Sequence, residues 1–365
     1  MRWSIERVRS TFHQYLTISA RISSHYGHPR TGVLSRMALS RLLYRQGPVF
    51  FNLYGFEAKK IREWKDFLAK SEMLALQSAM NGSSYSPVSG DKLLFHERCL
   101  ELGIPTPAVH AVVSTRDIGL KTSVPRIGTA AALRDFLCAF PEQRFVLKER
   151  KGCYGSDLRS VRLHGDVLYD HRDTPVSLDA LWNHCLKAVG GFLIQDHLRV
   201  HPELKPLMPG IALGTFRIVT FLKPNDDAEI ADALVKIPVI GNVADNFHQG
   251  DYGNMLGGLN ASTGAIGRVW GMKNGLPIER ERHPDTKVLM TNRVIPFWSE
   301  ITSLARRAAK SFPEMRTAGW DIASTDRGIL VMEVNSHYDI DGHQMVIMRG
   351  MRPEILAFFN NATNG

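Results

Sequence analysis

Residues 319–335 constrain the fold of this chain more than any other stretch. Two apolar runs flank the polar residues 324–328, which predicts a β-hairpin with a glycine in its turn. Three oxygen-bearing side chains, Asp321, Glu333 and Asn335, interrupt these strands. Glu333 and Asn335 are two residues apart and therefore share a strand face, and a partner strand can bring Asp321 beside them. We predict a site for Mg²⁺, a hard cation that prefers oxygen ligands; the alternative is a hairpin whose acids face solvent.

Composition bounds the class of protein. The chain has 365 residues, 44% of them hydrophobic and 22% charged, which is typical of a soluble globular protein with two or three domains or several lobes. No apolar run approaches 18 residues and no secretory segment follows the N-terminus. The four cysteines, Cys99, Cys138, Cys153 and Cys185, have no CxxC spacing and indicate neither a zinc site nor a disulfide framework. We therefore expect a cytoplasmic protein.

The net charge of +9 is concentrated at the N-terminus, where residues 1–46 hold eight arginines and a single glutamate, a net +7. Apolar residues recur every three or four positions there, which predicts two amphipathic helices. These helices either pack on the rest of the protein with arginines outward, or dock on an acidic partner or on anionic lipid at the inner face of the membrane. The composition also fits a mitochondrial transit peptide, whereas no motif indicates nucleic-acid binding. The apolar positions are Ile5, Val8, Phe12, Tyr15, Leu16 and Ile22, then Leu34, Met37, Ala38, Leu42 and Leu43.

Further along the chain, helices and mainly antiparallel strands occur in runs, which indicates an α+β or mixed α/β protein. A turn-rich stretch at 81–90 predicts a domain boundary, and a glycine-rich stretch at 241–275 predicts a long functional loop with short strands. Helices are predicted at 57–70, directly after Ser71, and at 91–102, 129–140, 177–189, 297–312 and from about 344. Strands are predicted at 108–113, 144–150, 158–163, 192–198, 214–222 and 230–240, the last two as a hairpin.

A second chemical signal is a strand lysine followed by a loop of small residues. Lys148 carries a compact charge suited to phosphate, and the loop with Gly152, Gly155 and Ser156 lets backbone N–H groups approach phosphate oxygens. The alternative is an ordinary hairpin, because no Walker A spacing is present. Cys153 lies in this loop, where we interpret it as a small filler residue and not as a nucleophile.

Two further strands carry polar residues. Gln195 and His197 lie at the end of the apolar strand 192–198, where a side chain and the backbone can pair with a base edge. Arg217 lies inside an apolar strand, where an unpaired charge is costly. Arg217 is therefore either one half of a structural ion pair or an anion-binding residue.

These elements, in this order, resemble the ATP-grasp superfamily, and within it the sugar-transfer-associated ATP-grasp family. The resemblance covers roughly residues 85–350. The segments that carry it are Asp91-Lys92, Gly103-Ile-Pro-Thr-Pro107, Val146-Leu-Lys148 with its glycine loop, Gln195, Phe216-Arg-Ile-Val-Thr220, Asp245-Asn-Phe247, His283-Pro-Asp-Thr286, Gly319-Trp-Asp321 and Glu333-Val-Asn335.

The resemblance implies an ATP-grasp fold, in which two α+β lobes clasp ATP, here with a helical N-terminal segment. It assigns Lys148 and Lys92 to the phosphates, the loop 152–156 to a lid over them, and Gln195 with the backbone near His197 to adenine. It further implies that Asp321, Glu333 and Asn335 hold one or two Mg²⁺ ions. Phosphoryl transfer depends on positioning and charge neutralisation, so Arg217 and Lys148 are the expected catalytic residues.

The chain departs from the family pattern at two places. Asp251 stands where a second glycine usually follows the Asp-Asn-Phe element, and Lys287 stands where glycine is common after the His-Pro-Asp-Thr element. Both departures lie where acceptor contacts are expected, so they bear on the substrate and not on the ATP chemistry. The candidate acceptor contacts are His248, Asp251, His283 and Asp285.

We therefore expect an ADP-forming carboxylate–amine ligase that acts through an acyl phosphate on a polar, sugar-linked or amino-acid-like acid. The alternatives are an ATP-grasp phosphotransferase that acts on a hydroxyl, and a non-catalytic ATP-binding scaffold docked on a membrane. The expected organisation is a basic helical region at 1–84, a segment that precedes the ATP-grasp lobes at 85–125, a small lobe with the lid loop at 126–198 and a C-terminal lobe with the metal and acceptor sites at 199–365.

Overall fold

The computed structural model describes residues 5–82, 86–117, 119, 122–152 and 157–363. Gly155, Ser156 and Cys153, and with them most of the expected lid loop, lie outside these ranges. The α-helices are α1 (Ile5–Tyr26), α2 (Arg30–Tyr44), α3 (Pro48–Leu53), α4 (Lys70–Asn81), α5 (Ser86–Gly90), α6 (Lys92–Glu101), α7 (Ala130–Ala139), α8 (Leu178–Cys185), α9 (Trp298–Ser311), α10 (Asp341–Ile347) and α11 (Arg352–Thr363), with 3₁₀ turns at Ile61–Asp66, Pro202–Leu204 and His248–Gly250.

The strands form two seven-stranded sheets. Those of the first are β1 (Val109–Val113), β2 (Arg126–Ile127), β3 (Arg144–Glu149), β4 (Arg159–His164), β5 (Val167–Tyr169), β6 (Pro175–Val176) and β7 (Phe192–Asp196), in the order β2-β1-β7-β3-β4-β5-β6. Those of the second are β8 (Phe216–Leu222), β9 (Ala228–Ile237), β10 (Met255–Leu259), β11 (Ile266–Lys273), β12 (Leu276–Glu279), β13 (Thr317–Thr325) and β14 (Gly328–Asn335), in the order β12-β11-β10-β9-β8-β13-β14. Strands β1 and β2 are parallel; the remaining neighbours run antiparallel.

Each sheet builds its main core against helices on one face, and the opposite face of the second sheet packs in part against α10 and the N-terminal helices. Helices α7 and α8 cover the first sheet, and α9 packs on β8, β9 and β13 of the second. Phe216 and Val235 belong to the core under α9, so the neighbouring residues Arg217 and Lys236 point to the opposite face because side chains alternate along a strand. The expected pair of α+β lobes is confirmed, and Arg217 and Lys236 lie on the face of the second sheet that contributes to the cleft.

The N-terminal helices pack on the second lobe. Ile22 of α1, Met37 of α2 and Phe51 of α3 are fully buried in one cluster with Trp270 of β11. The Asn52 side-chain amide donates to the Gly275 carbonyl at 2.8 Å and ties α3 to the turn between β11 and β12. Within the described residues, no helix combines the length and the apolar character needed to cross a bilayer.

The amphipathic pattern of this region is only partly satisfied by packing. Met37 and Ile22 are buried as expected, but Phe12, Leu42 and Leu43 are 63%, 78% and 53% exposed. These three apolar side chains therefore lie on the surface beside exposed arginines.

The helix predicted at 57–70 is wrong. Gly55 has a φ of +63°, and the chain then makes only the 3₁₀ turn Ile61–Asp66. Its apolar residues belong to two different cores. Trp64 lies in the first, where it stacks on Phe56 with ring centroids 5.0 Å apart. Leu68 lies in the second, where its amide donates to Gln344 Oε1 at 2.8 Å. One helix face could not reach both cores, so tertiary packing overrides the local period.

Other predicted boundaries shift. The stretch 81–90 includes the short helix α5, and its residues 83–85 lie outside the described ranges. Much of the loop predicted at 241–275 is regular, because β10 and β11 occupy 255–259 and 266–273. The helix predicted at 177–189 ends at Cys185, since the chain then turns to enter β7. The helices predicted at 91–102, 129–140 and 297–312 correspond to α6, α7 and α9.

Candidate functional site

A cleft of about 620 Å³ lies between the two sheets and takes its walls from both. Lys148 of β3 and Gln195 of β7 come from the first sheet, and Arg217, Asp321 and Glu333 come from the second. The volume is within the range of small-molecule sites. The structure thus brings together residues that are up to 185 positions apart in the chain.

Lys148 is withdrawn from bulk solvent in the wall of this cleft. Burial and, to a smaller extent, the nearby Lys92 lower the pKa of its ammonium to about 8, against an opposing effect of Glu333 across the cleft. A lysine in this state gains free energy from a bound anion, because the anion replaces the missing solvation. Lys148 therefore has the electrostatic character of a phosphate ligand.

Lys92 is held beside Lys148 by a buried ion pair that sequence reasoning missed. Arg150 Nε donates to the two carboxylate oxygens of Asp91 at 2.7 and 2.9 Å. Asp91 also caps α6 by accepting from the Leu93 amide at 3.1 Å. The Lys92 amide donates to the Arg150 carbonyl at 3.0 Å, and the Lys92 ammonium donates to the Gly152 carbonyl. These contacts therefore fix the start of α6 to the end of β3.

Gly152 begins the expected lid loop and tolerates no side chain. A Cβ at this position would lie 2.5 Å from Glu149 Oε2 and 2.8 Å from Glu149 Cβ. The chain thus turns tightly over Glu149 immediately after the strand that carries Lys148.

Gln195 and His197 lie where β7 leaves the first sheet. Gln195 is buried and opposite Val146 of β3, and His197 is half-buried. Burial lowers the pKa of His197, and its Nε2 has no hydrogen-bond partner among the described residues. A buried polar atom without a partner is costly, which is typical of an atom that meets a ligand.

A three-membered charge cluster occupies the floor of the cleft. Arg217 donates from Nε and Nη2 to the two oxygens of Asp321 at 2.6 and 2.9 Å, and Lys236 Nζ donates to the second oxygen at 3.0 Å. Burial alone would raise the pKa of Asp321, but the two cations outweigh it and hold that pKa well below its ordinary value. The cluster carries one net positive charge in a shielded place. The structure thus shows Arg217 in an ion pair, and its role as an anion-binding residue stays a prediction.

The hairpin β13–β14 places Asp321, Glu333 and Asn335 in the cleft wall as the sequence predicts. Asp321 is opposite Glu333, and Asn335 is opposite Gly319 one pleat along. The Asn335 amide nitrogen is buried without a partner among the described residues, and the Glu333 carboxylate interacts with the charges of Lys148 and Arg217. Glu333 and Asn335 therefore fit a divalent cation, whereas both oxygens of Asp321 are already engaged by cations.

The described residues hold no group of three or more His, Cys, Asp or Glu side chains arranged to bind a metal. A cation at this hairpin would consequently need amide, water and substrate oxygens to complete its shell. That requirement matches Mg²⁺, which is usually bound by one or two carboxylates and phosphate oxygens.

The candidate acceptor residues divide into two groups. His248 lines the cleft, and its Nδ1 lies 3.0 Å from Asp251 Oδ2; both residues are exposed, and Asp251 does not line the cleft. His283 is fully buried outside the cleft, where Nε2 lies 3.1 Å from the Pro238 carbonyl and Nδ1 accepts from the Asp285 amide at 3.1 Å. His283 and Asp285 thus stabilise their own loop in this structure.

The two departures from the family pattern have local explanations. Lys287 adopts a φ of +61°, a conformation that favours glycine, the residue expected at this position from the resemblance. Gly250 has a φ of +83°, and a Cβ there would lie 2.0 Å from Met272 Cγ, whereas Asp251 after it has an ordinary helical backbone. Only the first of the two glycine positions is therefore sterically required.

Sequence reasoning missed two polar residues of the floor. Lys236 is a charge inside the apolar strand β9 and could have been found by the argument used for Arg217. Asp245 was noted only as part of a motif: its Oδ2 accepts from the Thr215 amide at 2.9 Å, and burial raises its pKa. Asp245 therefore anchors the loop after β9 to the start of β8.

Two α+β lobes that enclose a cleft with lysines on one wall and a carboxylate hairpin on the other define the ATP-grasp class of folds. The family model for sugar-transfer-associated ATP-grasp proteins matches residues 73–360. The chain belongs to this family.

Solved structures with similar folds are distant in sequence. They include the N5-carboxyaminoimidazole ribonucleotide synthetase from Thermotoga maritima (13% identity, 81% of this chain and 57% of that chain covered, TM-score 0.40). D-cycloserine synthetase has 14% identity, with 87% and 82% covered and a TM-score of 0.42. D-alanyl-alanine synthetase A from Vibrio cholerae has 11% identity, with 77% and 67% covered and a TM-score of 0.44. The chain spans 53% and 57% of the lengths of two carboxyaminoimidazole ribonucleotide synthetases that it resembles. No curated protein matches the chain in sequence.

Proposed function

We propose that the protein is an ATP-dependent carboxylate–amine ligase that forms ADP and an amide through an acyl phosphate. The observation that carries this proposal is the cleft in which Lys92 and Lys148 face the cluster of Arg217, Lys236 and Asp321. Positive groups on two opposite walls suit a polyphosphate and a second anion bound next to each other. A carboxylate substrate beside a terminal phosphate is the arrangement that acyl-phosphate formation requires.

The roles of individual residues follow from their positions. Lys148 and Lys92 hold the phosphates, and Gln195 with His197 and the adjacent backbone holds the adenine ring. Glu333 and Asn335, with Asp321 behind them, hold Mg²⁺, which neutralises charge on the phosphates when bound. Arg217 orients the substrate carboxylate and stabilises the charge that develops on the transferred phosphoryl group.

The proposed reaction has two steps, and each bond that forms is matched by one that breaks. The substrate carboxylate attacks the γ-phosphorus, the bond to the bridging oxygen breaks, and ADP leaves with that electron pair. An amine nitrogen then bonds to the acyl carbon, the carbon–oxygen bond to phosphate breaks, and inorganic phosphate leaves as the nitrogen loses a proton. The acid is a polar, sugar-linked or amino-acid-like molecule, in keeping with the charged residues Arg217 and Lys236 on the floor of the cleft.

The test is a screen of acid–amine pairs for ADP release, followed by the mass of the product. An amide with stoichiometric ADP and phosphate supports the ligase. A stable phosphate ester of a hydroxyl compound would instead identify a phosphotransferase, and absence of turnover with any pair would favour a non-catalytic ATP-binding protein.

The metal site is tested by Glu333→Gln, which removes one negative charge from the hairpin at nearly constant volume. We expect ligation to be abolished while the unfolding temperature stays close to that of the wild type, because glutamine preserves the volume of the side chain in the cleft wall. Near-normal turnover by this variant would refute the assignment.

We further propose that the end of α2 contacts anionic membrane surfaces. Leu42 and Leu43 are exposed there between Arg41 and Arg45, which combines apolar insertion with positive charge. Flotation with phosphatidylserine-containing vesicles should be lost in the double variant Leu42→Gln/Leu43→Gln. Leu100→Gln, at an equally exposed leucine of α6, is the matched control and should still float. Equal flotation of all three proteins, or none by the wild type, would remove the proposal.

A further inference from the structure

A buried histidine in the cleft wall, away from the lysines, is paired with a partly buried aspartate. His343 of α10 is 1% exposed, and its Nδ1 forms a short hydrogen bond with Asp232 Oδ2 of β9. The other ring nitrogen, Nε2, is buried and has no hydrogen-bond partner among the described residues. Leaving a buried polar atom unpaired costs about 1–3 kcal/mol, so an imidazole in the wall of a cleft with one free nitrogen is typical of a ligand contact.

The register of the second sheet locates this pair relative to the charge cluster. Arg217 is opposite Leu234 of β9, and Val219 is opposite Asp232. Asp232 therefore lies two residues along the sheet from Arg217, a distance of about 7 Å, and on the same face. A group held by Arg217 would thus have the Asp232–His343 pair as its neighbour along the sheet.

The same end of the cleft carries two acidic residues, one of which is paired with a lysine. Asp341 accepts a hydrogen bond from the Tyr54 hydroxyl at 3.1 Å, and Asp339 forms an ion pair with Lys70 at 2.6 Å. Burial, with a smaller contribution from Asp339, raises the pKa of Asp341 to about 6, so this carboxylate is ionised but poorly solvated at neutral pH. A cationic amine would be drawn to this end, opposite the lysines that suit phosphate.

Building on the proposed ligase function, we propose that His343 is the general base that accepts the proton of the acceptor amine, and that Asp232 is its positioning residue. One proton of the cationic amine passes to His343 Nε2, which frees the nitrogen lone pair. As that nitrogen bonds to the acyl carbon, the bond from the acyl carbon to phosphate breaks, and phosphate leaves with the second proton of the nitrogen. The hydrogen bond from Nδ1–H to Asp232 fixes the tautomer in which Nε2 is the acceptor, and stabilises the imidazolium. The proton then returns to solvent as the products leave.

The experiment compares two nucleophiles on one acyl phosphate. The protein is supplied with ATP, Mg²⁺ and the acid that the wild type couples, together with either the matching amine or hydroxylamine. Hydroxylamine is uncharged at neutral pH and attacks without a base, so hydroxamate formation reports the first step alone. For His343→Gln and Asp232→Asn we expect amide formation to fall by about 10²- to 10⁴-fold while hydroxamate formation and the KM for ATP are unchanged.

The matched control is His337→Gln. His337 also lines this end of the cleft, but its Nε2 lies 3.2 Å from the Ser78 hydroxyl, so the variant should form both products at the wild-type rate. Where His343→Gln does not fold, Asp232→Asn gives the same comparison, because Asp232 is only partly buried.

Two results would overturn the proposal: equal loss of amide and hydroxamate, which indicates a structural role for the pair, or no loss of either. If the wild type forms neither amide nor hydroxamate with any acid, the proposed ligase function is wrong, and the role of His343, which depends on that function, is wrong with it. Hydroxamate formed by the wild type separates these failures, because it supports the ligase whatever His343 does.

Discussion

The buried ion pair between Asp91 and Arg150 provides a test of how the cleft is held together. Both side chains are about 95% buried, with 5% and 4% exposed, and they are joined by a bidentate contact at 2.7 and 2.9 Å. Removing one partner of such a pair leaves a buried charge and costs about 3–5 kcal/mol. Asp91 is also the N-cap of α6, which accounts for about 1 kcal/mol more.

The substitution Asp91→Asn separates these two contributions, because asparagine caps helices as well as aspartate does. We expect it to lower the free energy of unfolding by about 3–5 kcal/mol, and Asp91→Ala to lower it by about 1 kcal/mol more. The affinity for ATP should fall as well, because the Lys92 amide is bonded to the Arg150 carbonyl. Urea unfolding followed by circular dichroism, analysed by linear extrapolation, measures the first effect, and calorimetric titration with ATP measures the second.

A double-mutant cycle with Arg150→Met completes the experiment. The double variant should be more stable than the sum of the single losses predicts, with a coupling of about 1–3 kcal/mol, because it leaves no charge unpaired. A loss of less than about 1 kcal/mol for Asp91→Asn, or additive single effects, would show that the pair is not what fixes α6 to β3.

Three more predictions concern pH and packing. Because the pKa of Lys148 is lowered to about 8, its charge is lost as pH rises through 8; ATP affinity measured by calorimetry should weaken between pH 7 and 9, and Lys148→Met should remove most of this dependence. The pKa of Asp341 is raised from 3.8 to about 6, so the folded state binds the proton of this carboxyl more tightly than the unfolded state does. Ionisation of Asp341 therefore lowers the free energy of unfolding as pH rises from about 4 to 6. The unfolding temperature of Asp341→Asn should therefore fall less across that window than that of the wild type. Ile22 is fully buried, so Ile22→Ala should destabilise the packing of α1 by about 2–5 kcal/mol, seen as faster hydrogen exchange in α1 and α2.

The parts of the site that could be predicted from the sequence are those whose characteristic residues all lie close together in the chain, within one strand or one turn. The hairpin 319–335 holds both its alternating apolar residues and its polar interruptions within one local unit, and Lys148 with Gly152 is equally local. Buried polar residues in apolar strands point to a site regardless of what they pair with, which is why Arg217 could be singled out.

The partners of these residues could not be predicted in the same way. The contacts of Asp91 with Arg150 and of Asp232 with His343 join positions 59 and 111 residues apart, and no local period encodes them. His343 lies in a short helix whose sequence gives no sign that one ring nitrogen is bonded and the other free. The fold brings such groups together, so pairing and hydrogen-bond saturation become visible only in three dimensions.

The packing of the N-terminal helices on the second lobe has a consequence for synthesis of the chain. The contact between Asn52 and Gly275 joins residues 223 positions apart, and Trp270 and Leu276 complete the cluster that buries α1 to α3. At about 5–20 residues per second, the ribosome needs roughly 10–45 s to produce that surface after α3 has emerged. During this interval the arginine-rich helices present their whole apolar stripe, including the side of Ile22 and Met37 that the finished protein hides. We therefore expect the nascent chain to bind chaperones more strongly than the folded protein does, because completion of the second sheet buries most of that apolar surface.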